Sequence, residues 1–127
     1  MGDARGSTVM VVEDYDDTRV MLKSILERKG FRVVEAVNGR EAVERAASEC
    51  PDLILMDLDL PILDGIEATN RIRRMGALCA VPIVAITAYP MSYTRVRAFA
   101  QGCNEYLPKP IDLAQLEEVI RRHLPDG

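Results

Sequence analysis

Five polar side chains stand where apolar runs stop. Glu13 and Asp14 follow the run TVMVV, Asp57 follows LILM, Thr87 follows PIVAI, and Lys109 follows the short stretch EYLP. Three carboxylates, one hydroxyl and one ammonium are the parts of a phosphoryl-handling site. Oxygen ligands with open water positions suit Mg²⁺. The cation would neutralise the oxygens of an incoming phosphoryl group, the main task in phosphoryl transfer. An aspartate can itself be the nucleophile and become an aspartyl phosphate. Lys109 would add a second positive charge and Thr87 a hydrogen bond. Without a cation the grouping is costly, because two carboxylates ~4 Å apart repel by about 4 kcal/mol at an effective dielectric of ~20.

A purely structural account of these residues is weakest at Asp57, a carboxylate at the lip of a core run. Lys109, between two prolines, is also poorly explained as part of a solvated face. Glu13 alone reads equally well as a solvated strand end. Asp16 and Asp17 sit where a helix starts, and capping explains them. His123 reads as a surface residue. The pairs Arg73-Arg74 and Arg121-Arg122 read as solvated helix faces.

Alternating strands and helices must position this set. The spacing predicts strands over 8–12, 32–36, 53–56, 82–86 and 105–107. Between and after them fall five helices. The first carries Val20, Met21, Leu22, Ile25 and Leu26 and stops at Gly30. The second, 41–49, places Ala42, Val43, Ala46 and Ala47 on one face. Ile66, Thr69 and Ile72 mark the third, 92–101 is the fourth, and Leu113, Leu116, Val119 and Ile120 stripe the fifth. Asn38 with Glu41, Asp64 with Glu67, and Asp112 with Gln115 are capping boxes. They outweigh the hairpin-turn reading of Asn38-Gly39 and Asp64-Gly65. Ser92 is the best cap of the fourth helix, and Arg95 in its first turn opposes the helix dipole.

Five strands each followed by a helix imply a parallel sheet covered on both faces. The expected fold is α/β, a flavodoxin-like doubly wound five-stranded sheet of order 2-1-3-4-5 with its switch point between strands one and three. Ligands bind there at the carboxyl ends of the strands, so Asp14 and Asp57 should flank the switch point.

The 127 residues fit one domain, with 1–127 forming a single unit and its core at about 8–124. A net charge of -4 gives no basic surface for nucleic acid. Cys50, Cys79 and Cys103 are an odd, widely spaced set and read as reduced thiols. No apolar run is long enough to span a membrane, and the N-terminus has no signal-peptide pattern. A cytoplasmic location is expected. No GxGxxG or GxxxxGK[ST] follows the first strand, which argues against a nucleotide or flavin module.

Four segments in order resemble the receiver domain of two-component response regulators, of the single-domain chemotaxis-regulator kind. They are VVED at Val11 to Asp14, DLILMDLDLPILDG at Asp52 to Gly65, PIVAITA at Pro82 to Ala88, and GCNEYLPKPI at Gly102 to Ile111. The resemblance implies a phosphorylation-dependent switch. Asp57 would take a phosphoryl group from a histidine kinase or phosphotransfer protein. Asp14, Asp57 and the backbone carbonyl of Asp59 would hold Mg²⁺, with Glu13 acting through water. Lys109 would pair with the phosphoryl group, before a cis bond to Pro110. Thr87 would swing toward it, and Tyr106 would turn inward behind it. The fourth helix, fifth strand and fifth helix would form the surface read by a downstream effector protein. Asp59 and Tyr89 would flank the attacking water and bear on the lifetime of the phosphate. The only chemistry would be self-phosphorylation from a donor and slow self-dephosphorylation, so the chain is not expected to be an enzyme in the ordinary sense. A monomer or weak dimer is expected. Nothing after Leu124 reads as an output domain, so the output would be another protein or a phosphorelay, unless the chain is part of a hybrid kinase.

One competing pattern is enzymatic. Asp57-Leu-Asp59 resembles the DxD motif of haloacid-dehalogenase-type phosphatases, in which Asp59 would be the general acid. Against it, that motif normally ends the first strand, and Leu60 stands where Thr or Val is usual.

Overall fold

The structure, a computed structural model, describes residues 6–78, 80–88 and 92–124. Its elements alternate as expected: β1 (Thr8–Val12), α1 (Asp16–Arg28), β2 (Arg32–Ala36), α2 (Gly39–Glu49), β3 (Leu53–Asp57), α3 (Gly65–Arg73), β4 (Ile83–Thr87), α4 (Ser92–Ala100), β5 (Glu105–Pro108) and α5 (Leu113–His123). Among the described residues, the one unforeseen element is a short 3-10 turn at Gly76–Leu78. The strands form one parallel sheet in the order β2-β1-β3-β4-β5.

Strand alternation explains the two-sided core, since neighbouring side chains point to opposite faces. Met10, Val12, Ile54 and Met56 face one side and pack with Ala42, Ala46, Ile66 and Ile72 of α2 and α3. Val9, Val11, Leu53 and Leu55 face the other and pack with Leu22, Leu26, Leu116 and Val119 of α1 and α5. β1, β3 and β4 are buried at every position because both faces are covered.

Several local expectations change. Val20 and Met21 are exposed while Leu22 and Leu26 carry the inner face of α1. Ala47 and Leu113 are likewise outside. Asp16 and Asp17 do not cap α1: its N-cap is Tyr15, with no side-chain cap bond. They occupy its first turn, where negative charge suits the helix dipole. α4 begins at Ser92, and the position before it lies outside the described residues, as does the cap expected there. Arg95, set against the dipole, has its guanidinium 5.6 Å from the centre of the Tyr106 ring.

The caps on α2, α3 and α5 form, since Asn38, Asp64 and Asp112 accept hydrogen bonds from Glu41, Glu67 and Gln115 N–H. In α2 the returning bond from Glu41 goes to Val37 N–H rather than to Asn38. Arg73 is no solvated residue. Its guanidinium donates to the carbonyls of Gly102 and Leu78 and to Asn104 Oδ1, clamping α3 to the start of β5. Arg122 and His123 are engaged too, both with Glu105 of β5.

Candidate functional site

Parallel register carries the polar strand ends to one edge. Val12 pairs with Met56, Asp57 with Ile86, and Thr87 with Pro108. The residues just past β1 and β5 therefore meet the last residues of β3 and β4. Carboxylate oxygens of Glu13, Asp14 and Asp57 all lie within 4.8 Å of one another. Asp14 is exposed, whereas Glu13 and Asp57 are buried, at 3% and 1% exposure.

Asp57 ends β3 instead of following it, and its carboxylate is held at both oxygens. Oδ1 accepts the Asp59 backbone N–H at 2.8 Å, and Oδ2 accepts Lys109 Nζ at 2.8 Å. Lys109 also lies 3.8 Å from Glu13 Oε1. Burial alone would lower the Lys109 ammonium, but the Asp57 hydrogen bond and the charges of Asp57, Glu13 and Asp59 raise it above the usual lysine range. Glu13 is pushed up to about 7, chiefly by burial and also by the Asp57 charge, against the Tyr15 N–H that its carboxylate accepts. Among the described residues, Lys109 is the cation that ion-pairs with Glu13 and Asp57. Three carboxylates with one ammonium leave an anionic edge, and the donor set is all oxygen with one exposed side. That fits a hard divalent cation with retained water.

Thr87 is fully buried, and its hydroxyl donates to the Asp59 carboxylate at 3.1 and 3.3 Å. Ala88 N–H donates to the same carboxylate at 3.3 Å. Asp59 thus folds its side chain over the end of β4. Tyr106 is half-buried against the core, under Arg95. The Lys109–Pro110 bond is cis. Tyr89 and Cys79 lie outside the described residues.

Two glycines seat the helices on this edge, and their function was not legible as anything beyond a turn or cap signal. A Cβ on Gly65 would stand 2.3 Å from the Asp57 carbonyl oxygen, and one on Gly39 would stand 1.8 Å from the Leu63 carbonyl oxygen. Between them, Ile62 has a φ of 69° at the centre of a tight turn in which Leu63 N–H donates to the Pro61 carbonyl at 2.7 Å. Arg19 was also missed. It donates to the Glu13 carbonyl and ties that loop to α1.

The family model described as the response regulator receiver domain matches residues 9–121. The chain belongs to this family. It is 34% identical over 120 residues to the polar-differentiation response regulator DivK of Brucella anthropi, covering 94% of this chain and 98% of that protein. Among solved structures it resembles the receiver domain of the sensor histidine kinase PA1611 from Pseudomonas aeruginosa, which has a magnesium ion coordinated in its active site cleft. The TM-score is 0.87 at 35% identity, over 94% of this chain and 98% of that one. It also resembles the receiver domain of Ssk1 from Saccharomyces cerevisiae, co-crystallised with the histidine phosphotransfer protein Ypd1. There the TM-score is 0.87 at 34% identity, over 94% and 90% of the two chains. The flavodoxin-like receiver fold and the family read from four segments both hold. Receiver domains are signalling switches of two-component systems rather than enzymes in the ordinary sense. Among the described residues no helix is long and apolar enough to cross a membrane.

Proposed function

We propose that this receiver domain switches state when Asp57 accepts a phosphoryl group from a histidine kinase or phosphotransfer protein. One observation carries the reading: the Asp57 carboxylate is buried at the strand edge, bonded to Lys109, and grouped with Glu13 and Asp14. A carboxylate oxygen of Asp57 would bond to phosphorus as the donor's P–N bond breaks. The donor nitrogen keeps the bonding pair and takes up a proton. Asp14, Asp57 and the Asp59 carbonyl would hold Mg²⁺, and Glu13 would reach it through water. Mg²⁺ supplies charge neutralisation for the phosphoryl oxygens. Lys109 would shift from Asp57 onto a phosphoryl oxygen. A groove of about 440 Å³, lined by Glu13, Tyr15, Thr18, Met21, Lys109, Pro110 and Ile111, leads to this edge and gives a donor side chain a way in.

The exit of the signal runs through Thr87. Its hydroxyl and the Ala88 N–H are the donors a phosphoryl group would recruit, and Asp59 now holds both. Their transfer to the phosphoryl group would alter the end of β4, and with it α4 and the Arg95–Tyr106 contact. The face of α4, β5 and α5 is the surface a downstream effector would read. The domain would act in the cytoplasm as a monomer or weak dimer. The phosphatase reading gains nothing, since Asp59 faces Thr87 and Ala88 as an acceptor.

Acetyl phosphate with Mg²⁺ is expected to label the protein at one site. The label should be hydroxylamine-sensitive and absent from Asp57→Asn. Equal labelling of that variant would overturn the assignment. Asp59→Asn removes a negative charge facing the entering phosphoryl group and keeps the backbone carbonyl. It should speed labelling several-fold in a single-turnover assay, and a slower rate would refute the role given to the Asp59 carboxylate.

A further inference from the structure

We infer that Arg19 is a positioning residue for the cation-binding loop, fixing the Glu13–Asp14 peptide through a backbone carbonyl. The inference rests on the Mg²⁺ reading above. Arg19 lies on the first turn of α1, with its side chain only 13% exposed. Nη1 donates to the Glu13 carbonyl at 3.1 Å, Nε to Glu35 Oε1 at 3.0 Å, and Nη2 to Asp16 Oδ1 at 2.7 Å. The planar guanidinium thus joins α1, β2 and the end of β1 in one fixed fork.

Among the described residues, the other restraints on the loop it grips fall on different atoms, including the Tyr15 carbonyl, which accepts the Arg19 N–H at 3.0 Å, and the Glu13 carboxylate beside Lys109. Glu13 N–H donates to the Ala36 carbonyl at 3.0 Å, which holds the near side of the residue. Glu13 Oε2 accepts the Tyr15 N–H. The Glu13 carbonyl leads into Asp14, and among the described residues Arg19 is the side chain that holds it. Asp14 is exposed, so packing does not set its direction. Its aim toward Asp57 and Glu13 depends on the peptide that carries it.

Electrostatics make this role separable from a charge effect. Arg19 is a cation near an anionic site, so charge alone would make it oppose Mg²⁺. Glu35 and Asp16 neutralise it locally, which lets it hold the loop at little cost to the site. Removing it should weaken Mg²⁺ binding if geometry dominates and tighten binding if charge dominates. Groups that orient metal ligands from behind typically change affinity about 10–100-fold when lost.

The experiment is a calorimetric Mg²⁺ titration of the full chain as wild type, Arg19→Gln, Arg19→Lys and Lys23→Gln. Lys23 also pairs with Glu35, at 3.7 Å, so its loss removes an equal charge from the same network and is the charge control. Arg19→Gln should bind Mg²⁺ about ten-fold more weakly, Arg19→Lys should fall between it and wild type, and Lys23→Gln should bind as well as wild type or better. With acetyl phosphate, the Arg19→Gln labelling rate should recover at saturating Mg²⁺, so that the half-saturating Mg²⁺ concentration rises while the maximal rate holds. Should Arg19→Gln not fold, Arg19→Lys carries the same test. Arg19 variants that bind Mg²⁺ as tightly as wild type, or that shift in the same direction as Lys23→Gln, overturn the inference. A wild type that binds no Mg²⁺ overturns the underlying reading instead.

Discussion

Gly65→Ala should destabilise the domain by about 3 kcal/mol or more, at the upper end for added bulk in a packed interior. The added Cβ would meet the Asp57 carbonyl oxygen at 2.3 Å and the Leu58 Cα at 2.8 Å. Both are backbone atoms at the end of a central strand, and neither can rotate away. Asp57 lies beside Ile86 of β4 in the parallel register, and Leu58 N–H donates to the Ile86 carbonyl at 2.8 Å. Relief must come from lifting α3, which breaks the contact between Gly65 N–H and the Leu58 carbonyl and opens the cluster around Ile66, Ala68 and Ile72. Gly76→Ala is the control, because a Cβ there meets nothing within 4 Å. It should be neutral or slightly stabilising, since alanine costs the unfolded chain entropy. Urea unfolding of the two variants checks both. A Gly65→Ala midpoint close to that of Gly76→Ala would show that α3 seats on β3 more loosely than these distances allow.

The close approach at Gly65 also marks the limit of what local pattern carries. The dipeptides Asn38-Gly39 and Asp64-Gly65 correctly read as helix starts, because cap and helix lie within a few residues of each other. Why glycine stands there did not follow, because the atoms it avoids belong to Asp57, Leu58 and Leu63 in other parts of the chain. The strand ends were legible for the opposite reason. An apolar run that stops at Asp57 or Thr87 announces the core's lip without knowledge of any partner. Doubly wound topology then determines which lips are neighbours, so Glu13, Asp14, Asp57, Thr87 and Lys109 converge as expected. Their mutual bonds were not legible. That Asp59 rather than Asp57 receives the Thr87 hydroxyl depends on a side-chain choice across 28 residues. Arg73 and Arg19 were misread or missed because a charged side chain on a helix looks solvated until the carbonyls it reaches are known. Asp16 looked like a cap for a similar reason, and its carboxylate belongs to Arg19.

The second large effect concerns Lys109. Lys109→Ala should cost metal-free stability about 3 kcal/mol, the low end for breaking a buried pair, because the lysine side chain is 28% exposed and water screens part of the loss. The loss arises from what stays behind. Asp57 and Glu13 keep their burial and their mutual repulsion, while the described cation that pairs with them is gone. Asp57→Asn has the opposite logic. It removes one repelling charge and leaves Lys109 with Glu13, so metal-free stability should hold or rise. The two variants therefore separate in EDTA although they break the same 2.8 Å contact. Mg²⁺ should then divide them again. In Lys109→Ala a divalent cation takes over the missing compensation, so its stabilising increment should exceed that of wild type. In Asp57→Asn a ligand charge is lost, so the increment should shrink. Labelling by acetyl phosphate should fall about 100-fold in Lys109→Ala even with saturating Mg²⁺, the scale for losing one donor to developing phosphoryl charge. Thermal melts of the three proteins in EDTA and in Mg²⁺ give the stability comparison directly. A Lys109→Ala protein that melts with wild type in EDTA would mean that Asp57 and Glu13 are not held as charges against Lys109. An unchanged Mg²⁺ increment would mean that the cation and the ammonium do not share the same carboxylates.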